Sequence, residues 1–254
     1  MIKLIATDID GTILIPEGEF TKSVKDCIKK LSASGIKVVL VTGRMNAAAE
    51  LIAKELDLST PIVSYQGGLI KEQGKTLYER YLTETQANKI IEWGSNENIH
   101  INLYNDDILF SETDCSEIQR YCNNQHTKYV VKPFSEINKN KVNKILAIDY
   151  RNSERINLYE KKLQEKFSEL NIVKSTPYFL EFSNKEASKY CAVKFLQKYW
   201  GVNDNETLCI GDQNNDIELL RAGGIKVAMG NATDELKSCA DYITDSVFED
   251  GFVR

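Results

Sequence analysis

The sequence predicts an α/β protein: a domain on a parallel sheet, interrupted by an inserted α+β domain. Three observations predict it. Apolar, β-rich runs alternate with helical stretches from Leu4 to Leu56, and the same alternation resumes from Glu186 to Thr244. Between them lie two adjacent strands that resemble a hairpin, a sign of antiparallel pairing. The chain has 254 residues, 42% of them hydrophobic, which suits one large domain or two smaller ones, each with its own core.

Leu4 to Ala6 reads as a buried strand that carries Asp8 and Asp10 to its C-terminal end. Thr21 to Ser34 has Val24, Ile28 and Leu31 at helical spacing and is stopped by Gly35. Ile36 to Val41 is a second strand leading into Thr42, Gly43 and Arg44, and Ala47 to Leu56 is a second helix. Pro61 to Ile70 is expected to be a further strand ending in a Gly-Gly turn. The character then changes. Helices are expected at Glu84 to Glu97, Asp114 to Asn124 and Ser153 to Ser168. Strands are expected near Ile99 to Tyr104, Asp107 to Ser111, Tyr129 to Lys132, Lys144 to Tyr150, Ile172 to Ser175 and Tyr178 to Phe182. Tyr104, Phe110 and Tyr178 are candidates to line a substrate pocket, but each is expected to pack in the core of this stretch. Glu186 to Trp200 is a helix with Ala192, Phe195, Leu196 and Tyr199 on one face and Lys189 in its first turns. Strands at Thr207 to Ile210, Ile225 to Ala228 and Tyr242 to Thr244, with helices at Ile217 to Ala222 and Ala232 to Ser238, complete the chain. The expected division is residues 1–82 and 184–254 for the parallel-sheet domain and 83–183 for the insertion.

The net charge of −5, without a dense Lys/Arg block, argues against nucleic acid as a partner, and the basic run near Lys141 reads as a solvated face. Six cysteines at 27, 115, 122, 191, 209 and 239 form no CxxC pair; most are expected to be buried small hydrophobes in a reducing compartment. The two histidines, His100 and His126, are too few for a zinc cluster, so a metal would be held by oxygen. No signal segment or apolar run of membrane-spanning length is recognisable, and the expectation is a soluble cytoplasmic protein, a monomer or homodimer without membrane association. The Asn-x-Thr triplets at Asn205 and Asn231 are then chance matches.

Side chains two apart in an extended backbone point the same way, so Asp8 and Asp10 are able to face one volume. Taken alone, they are equally an ordinary Asp-Gly turn. Thr42-Gly43 ahead of a helix suits an anion, and the GDQNND run from Gly211 to Asp216 adds carboxylates at a third strand end. Four carboxylates at one sheet edge repel one another unless a hard cation compensates; oxygen ligands with residual waters suit Mg²⁺. Phosphoryl transfer uses every one of these residue types: a carboxylate nucleophile, a second carboxylate to move the proton, and a cation, a lysine and a hydroxyl for the phosphate oxygens.

DIDGT at 8–12, VTGR at 41–44, SK at 188–189 and GDQNND at 211–216 resemble, in order and spacing, the four motifs of the haloacid dehalogenase superfamily. More narrowly the chain resembles the Cof-like phosphatases, and VAMGNATDELKSCADYIT at 227–244 is similar to that branch. The resemblance spans nearly the whole chain. It implies a Rossmann-like core with an inserted α/β cap between the second and third motifs. It further implies Asp8 as nucleophile and Asp10 as general acid/base. Mg²⁺ would be held by Asp8, the Asp10 backbone carbonyl and Asp212, with Asp216 in support. The phosphate would be held by Thr42, Gly43 and Lys189, helped by Asn215, and Arg44 would either contact substrate or only brace the loop, with bracing the favoured role. The implied activity is hydrolysis of a small phosphorylated metabolite, such as a sugar phosphate or cofactor phosphate. A phosphomutase and a non-catalytic metabolite-binding protein are the alternatives on the same scaffold. The chain departs from the family pattern at Gln66, where Asn is common, at Val247, which replaces another Asn, and in ending at Arg254, soon after Asp250-Gly251.

Overall fold

In the computed structural model, which describes residues 1–16, 18–125 and 127–254, β1 (Leu4–Thr7) is buried throughout. It lies between β2 (Lys37–Leu40) and β12 (Thr207–Gly211), parallel to both. β13 (Ile225–Ala228) and β14 (Tyr242–Ile243) extend the sheet to five parallel strands in the order β14-β13-β12-β1-β2. Helices cover both faces. Leu4, Ala6, Val39 and Val41 pack with Ala192, Val193 and Leu196 of α6 (Lys189–Trp200) and with Leu219 and Ala222 of α7 (Ile217–Ala222). Leu40 packs with Val24 and Ile28 of α1 (Lys22–Ala33) and with Ala49 and Ile52 of α2 (Asn46–Glu55). α8 (Asp234–Ser238) adds Leu236 to a further cluster around Ile210 and Met229. Residues Met1–Glu79 and Ser188–Arg254 form this unit.

The expected strand from Pro61 to Ile70 is instead a hairpin. β3 (Ile62–Ser64) and β4 (Leu69–Glu72) are antiparallel around a turn at Tyr65–Gly67, and β5 (Lys75–Glu79) adds a third strand. Tyr65 and Gln66 hold φ of 52° and 57°, conformations that no propensity assigns to bulky residues. The apolar face of α6 also differs from expectation: Tyr199 is 49% exposed, and the buried set is Lys189, Ala192, Val193, Leu196 and Gln197.

The second unit, Arg80–Ala187, carries a separate sheet. α3 (Glu84–Asn96) opens it with a capping box between Thr83 and Gln86. Its strands run β10-β11-β9-β6-β7-β8, where β6 is His100–Asn105, β7 Ile108–Ser111, β8 Val130–Val131, β9 Val142–Ile148, β10 Leu170–Thr176 and β11 Phe179–Asn184. Pairing is antiparallel except between β7 and β8, which α4 (Ser116–Gln125) connects. The β6–β7 turn places Asp106 and Asp107 at φ of 50° and 62°, which suits the tight hairpin read from the sequence. Trp93 and Phe182 centre the core that α3 and α5 (Ser153–Lys166) make with the sheet.

Three packing expectations change here. Tyr178 is 38% exposed rather than part of the core. The basic run near Lys141 is not one solvated face, because Lys139 and Lys144 are buried and Lys144 pairs with Glu181. Of the six cysteines only Cys122 and Cys209 are buried, and all six are free. His126 lies outside the described residues.

Candidate active site

The parallel register puts the motif residues together. Asp8 N–H donates to the Ile210 carbonyl at 3.0 Å, one step beyond the paired strand residues, so Asp8 stands beside the loop that begins at Gly211. Carboxylate oxygens of Asp8, Asp212 and Asp216 lie within 4.8 Å of one another, and all three residues are buried. Ser188 caps α6 by accepting from Cys191 N–H at 3.1 Å, which makes Lys189 the first helical residue. From there its Nζ reaches Asp8 Oδ1 at 2.5 Å and Asp216 Oδ1 at 2.6 Å.

The acidic loop is braced from within. Asp216 Oδ2 accepts from the backbone N–H groups of Asp212 and Gln213 at 3.0 and 3.1 Å. Asp212 accepts from Thr12 Oγ1 at 3.2 Å and from Gln213 Nε2 at 3.0 Å. Burial pushes the Asp8 carboxyl well above its ordinary value; Lys189 opposes this, while Asp216, Asp10 and Asp212 add to it. Burial and then Asp216 push Asp212 up to about 6. Burial alone would lower the Lys189 ammonium, but Asp216 and Asp8 raise it. The cluster therefore holds more carboxylate than its one lysine compensates. Its donors are all carboxylate oxygens, which fit a hard divalent cation.

The remaining motif residues sit around this centre. Thr42 is buried, with its N–H on the Val63 carbonyl at 2.9 Å and its Oγ1 accepting from Arg44 N–H at 3.1 Å. The Asp10 side chain is exposed and is not one of the three clustered carboxylates. Arg44 holds it with two bonds, Nε to Oδ2 at 2.8 Å and Nη2 to Oδ1 at 2.5 Å. Asn215 Nδ2 donates to Gln66 Oε1 at 3.3 Å.

Some supporting residues escaped the sequence reading. Asn231, met there as a chance glycosylation triplet and within the 227–244 stretch but given no role, donates from Nδ2 to the Gly11 carbonyl at 2.8 Å and accepts from Val247 N–H at 2.8 Å. Val247 contributes that bond through its backbone, so the bond does not depend on which side chain stands there. Gln213 and Thr12 lie inside quoted motifs, but nothing in their spacing marks them as partners of Asp212.

The profile of the haloacid dehalogenase-like hydrolases matches residues 5–254. A putative phosphatase of Haemophilus influenzae is 32% identical over 255 residues, covering 99% of this chain and 95% of that protein. A Bacillus subtilis protein described as a 5-amino-6-(5-phospho-D-ribitylamino)uracil phosphatase is 26% identical over 276 residues, covering 98% of this chain and 95% of its own. The crystal structure of a haloacid dehalogenase-like hydrolase from Bacteroides thetaiotaomicron superposes with a TM-score of 0.89 at 26% identity, covering 100% of this chain and 97% of that one. The chain belongs to the haloacid dehalogenase-like hydrolases, in their Cof-like branch. It is an enzyme, a phosphatase of that family.

Proposed function

We propose that the protein is a Mg²⁺-dependent phosphatase that hydrolyses a small phosphorylated metabolite, a sugar phosphate or cofactor phosphate, through an aspartyl-phosphate on Asp8. The observation that carries this reading is the buried meeting of Asp8, Asp212 and Asp216 with Lys189. Asp8, the Asp10 backbone carbonyl and Asp212 would hold the cation, with Asp216 supporting them. Bound there, Mg²⁺ supplies positive charge to the phosphate oxygens.

The chain's own groups account for the remaining steps. An Asp8 carboxylate oxygen attacks phosphorus, and the bond from phosphorus to the substrate's ester oxygen breaks. Asp10 gives that oxygen its proton and then takes one from the water that attacks the phosphorylated Asp8, freeing the carboxylate and inorganic phosphate. Lys189 offsets the charge on the transferring group, while Thr42, Gly43 and Asn215 orient it. Arg44, bonded to the Asp10 carboxylate, sets where that acid rests between turnovers.

We further assign catalysis to the unit with the parallel sheet and substrate selection to the inserted unit as a cap. The relative named for 5-amino-6-(5-phospho-D-ribitylamino)uracil supports including that phosphate ester in the substrate panel beside sugar phosphates. No helix among the described residues is long and apolar enough to cross a membrane. The free thiols and the family's metabolite chemistry favour the cytoplasm.

Release of inorganic phosphate from such a panel, measured with Mg²⁺ and with a chelator, tests the reading. Turnover is expected only with the metal, and Asp8→Asn is expected to lose it by roughly 10³-fold or more. Full activity after chelation, or in Asp8→Asn, would overturn the proposal.

A further inference from the structure

The turn between β3 and β4 is the most constrained backbone near the site. Tyr65, Gln66 and Gly67 follow one another at φ of 52°, 57° and 98°, and two of the three are not glycine. Such conformations persist where the surroundings fix them, and they gather at functional sites. The surroundings here are motif loops. Gln66 N–H donates to the Thr42 carbonyl and Tyr65 N–H to the Arg44 carbonyl, each at 3.0 Å. A Cβ on Gly67 would lie 2.1 Å from the Ser188 carbonyl oxygen, so only glycine lets the turn approach the start of α6.

This arrangement aims the Gln66 side chain. The residue is only 8% exposed, yet its Nε2 has no hydrogen-bond partner among the described residues. That nitrogen lies over Gly43, 2.4 Å from where a Cβ on Gly43 would stand, while Oε1 at the other end of the amide accepts from Asn215. Nε2 itself is not one of the fully buried polar atoms left without a partner, so this donor beside the Thr42-Gly43 anion site is open to an acceptor from outside the chain.

We infer that Gln66 is a phosphate-contacting residue: its Nε2 donates to an oxygen of the phosphoryl group held at Gly43, and its Oε1 holds Asn215 in line with the same group. The inference rests on the phosphatase reading. It explains why a strained turn carries glutamine where glycine would fit the backbone more easily. The strain is retained because the amide is needed.

Gln66→Gly and Gln66→Glu test it. Glycine relieves the backbone at φ 57° and removes the amide, so its thermal midpoint should equal or exceed that of the wild type. Glutamate keeps an acceptor for Asn215 but loses the donor. Binding of inorganic phosphate, measured by calorimetric titration in the presence of Mg²⁺, does not depend on turnover. Both variants are expected to bind phosphate roughly 10- to 100-fold more weakly, the loss typical of a hydrogen bond to a charged group. Phosphate affinity within twofold of wild type in either variant would overturn the inference. A wild type that binds no phosphate and hydrolyses no ester would instead remove the phosphatase reading beneath it.

Discussion

Lys189 and Lys144 are both buried, one in each unit, and the charges around them differ. Lys189 contacts Asp8 and Asp216 with Asp212 alongside, so one ammonium faces three carboxylates. Lys144 pairs with Glu181 at 3.0 Å, its ammonium 5.0 Å from the centre of the Tyr104 ring, whose hydroxyl donates to Tyr121 at 2.6 Å. Burial opposes charge at both lysines, and carboxylates raise both above the ordinary value. The difference lies in what remains uncompensated. At Lys144 the pair accounts for itself and supports a fold. At Lys189 an excess of buried carboxylate persists; burial first, and then the neighbouring carboxylates, push Asp8 and Asp212 upward, and such an excess is the mark of a site built for something absent from the chain.

The largest effect that separates the two is catalytic. Lys189→Met is expected to lower kcat/KM for the best substrate by roughly 10²- to 10³-fold, as loss of one charge-stabilising group does. Activity within a few-fold of wild type would make Lys189 structural like Lys144 and erase the contrast.

The next effect is on stability. Lys144→Met strands the Glu181 carboxylate, and urea unfolding should register a loss of about 3–5 kcal/mol. Adding Glu181→Leu should recover most of it, because an apolar pair of similar volume replaces a buried ion pair at little cost. A single-variant loss below about 1 kcal/mol, the worth of an exposed pair, would mean that Lys144 is not held as described.

The same pair of lysines marks what was legible in the sequence. Lys189 stood out because it lies in the first turns of a helix and belongs to a motif whose partners, Asp8 and the Asp212 loop, lie at strand ends. Parallel strands bring such ends to one edge, so linear order was enough to gather them. Lys144 was read as part of a basic surface run because its partner, Glu181, lies 37 positions away, and only the β9–β11 pairing joins them. The hairpin at Tyr65–Gly67 was hidden for a related reason. Left-handed φ at tyrosine and glutamine has no signature in composition and exists because Thr42, Arg44 and Ser188 surround the turn. Likewise, Asp10 and Arg44 were legible as motif residues, but not as partners of each other.

The central claim is that Asp8, in the cluster with excess negative charge, forms a covalent bond to the phosphoryl group. The most direct measurement is acid quenching of the enzyme during turnover with Mg²⁺, followed by mass analysis of its peptides. A phosphoryl adduct should appear on the peptide containing Asp8 and vanish in Asp8→Asn. Steady turnover that never leaves an adduct on that peptide, or an adduct on another residue, would contradict it.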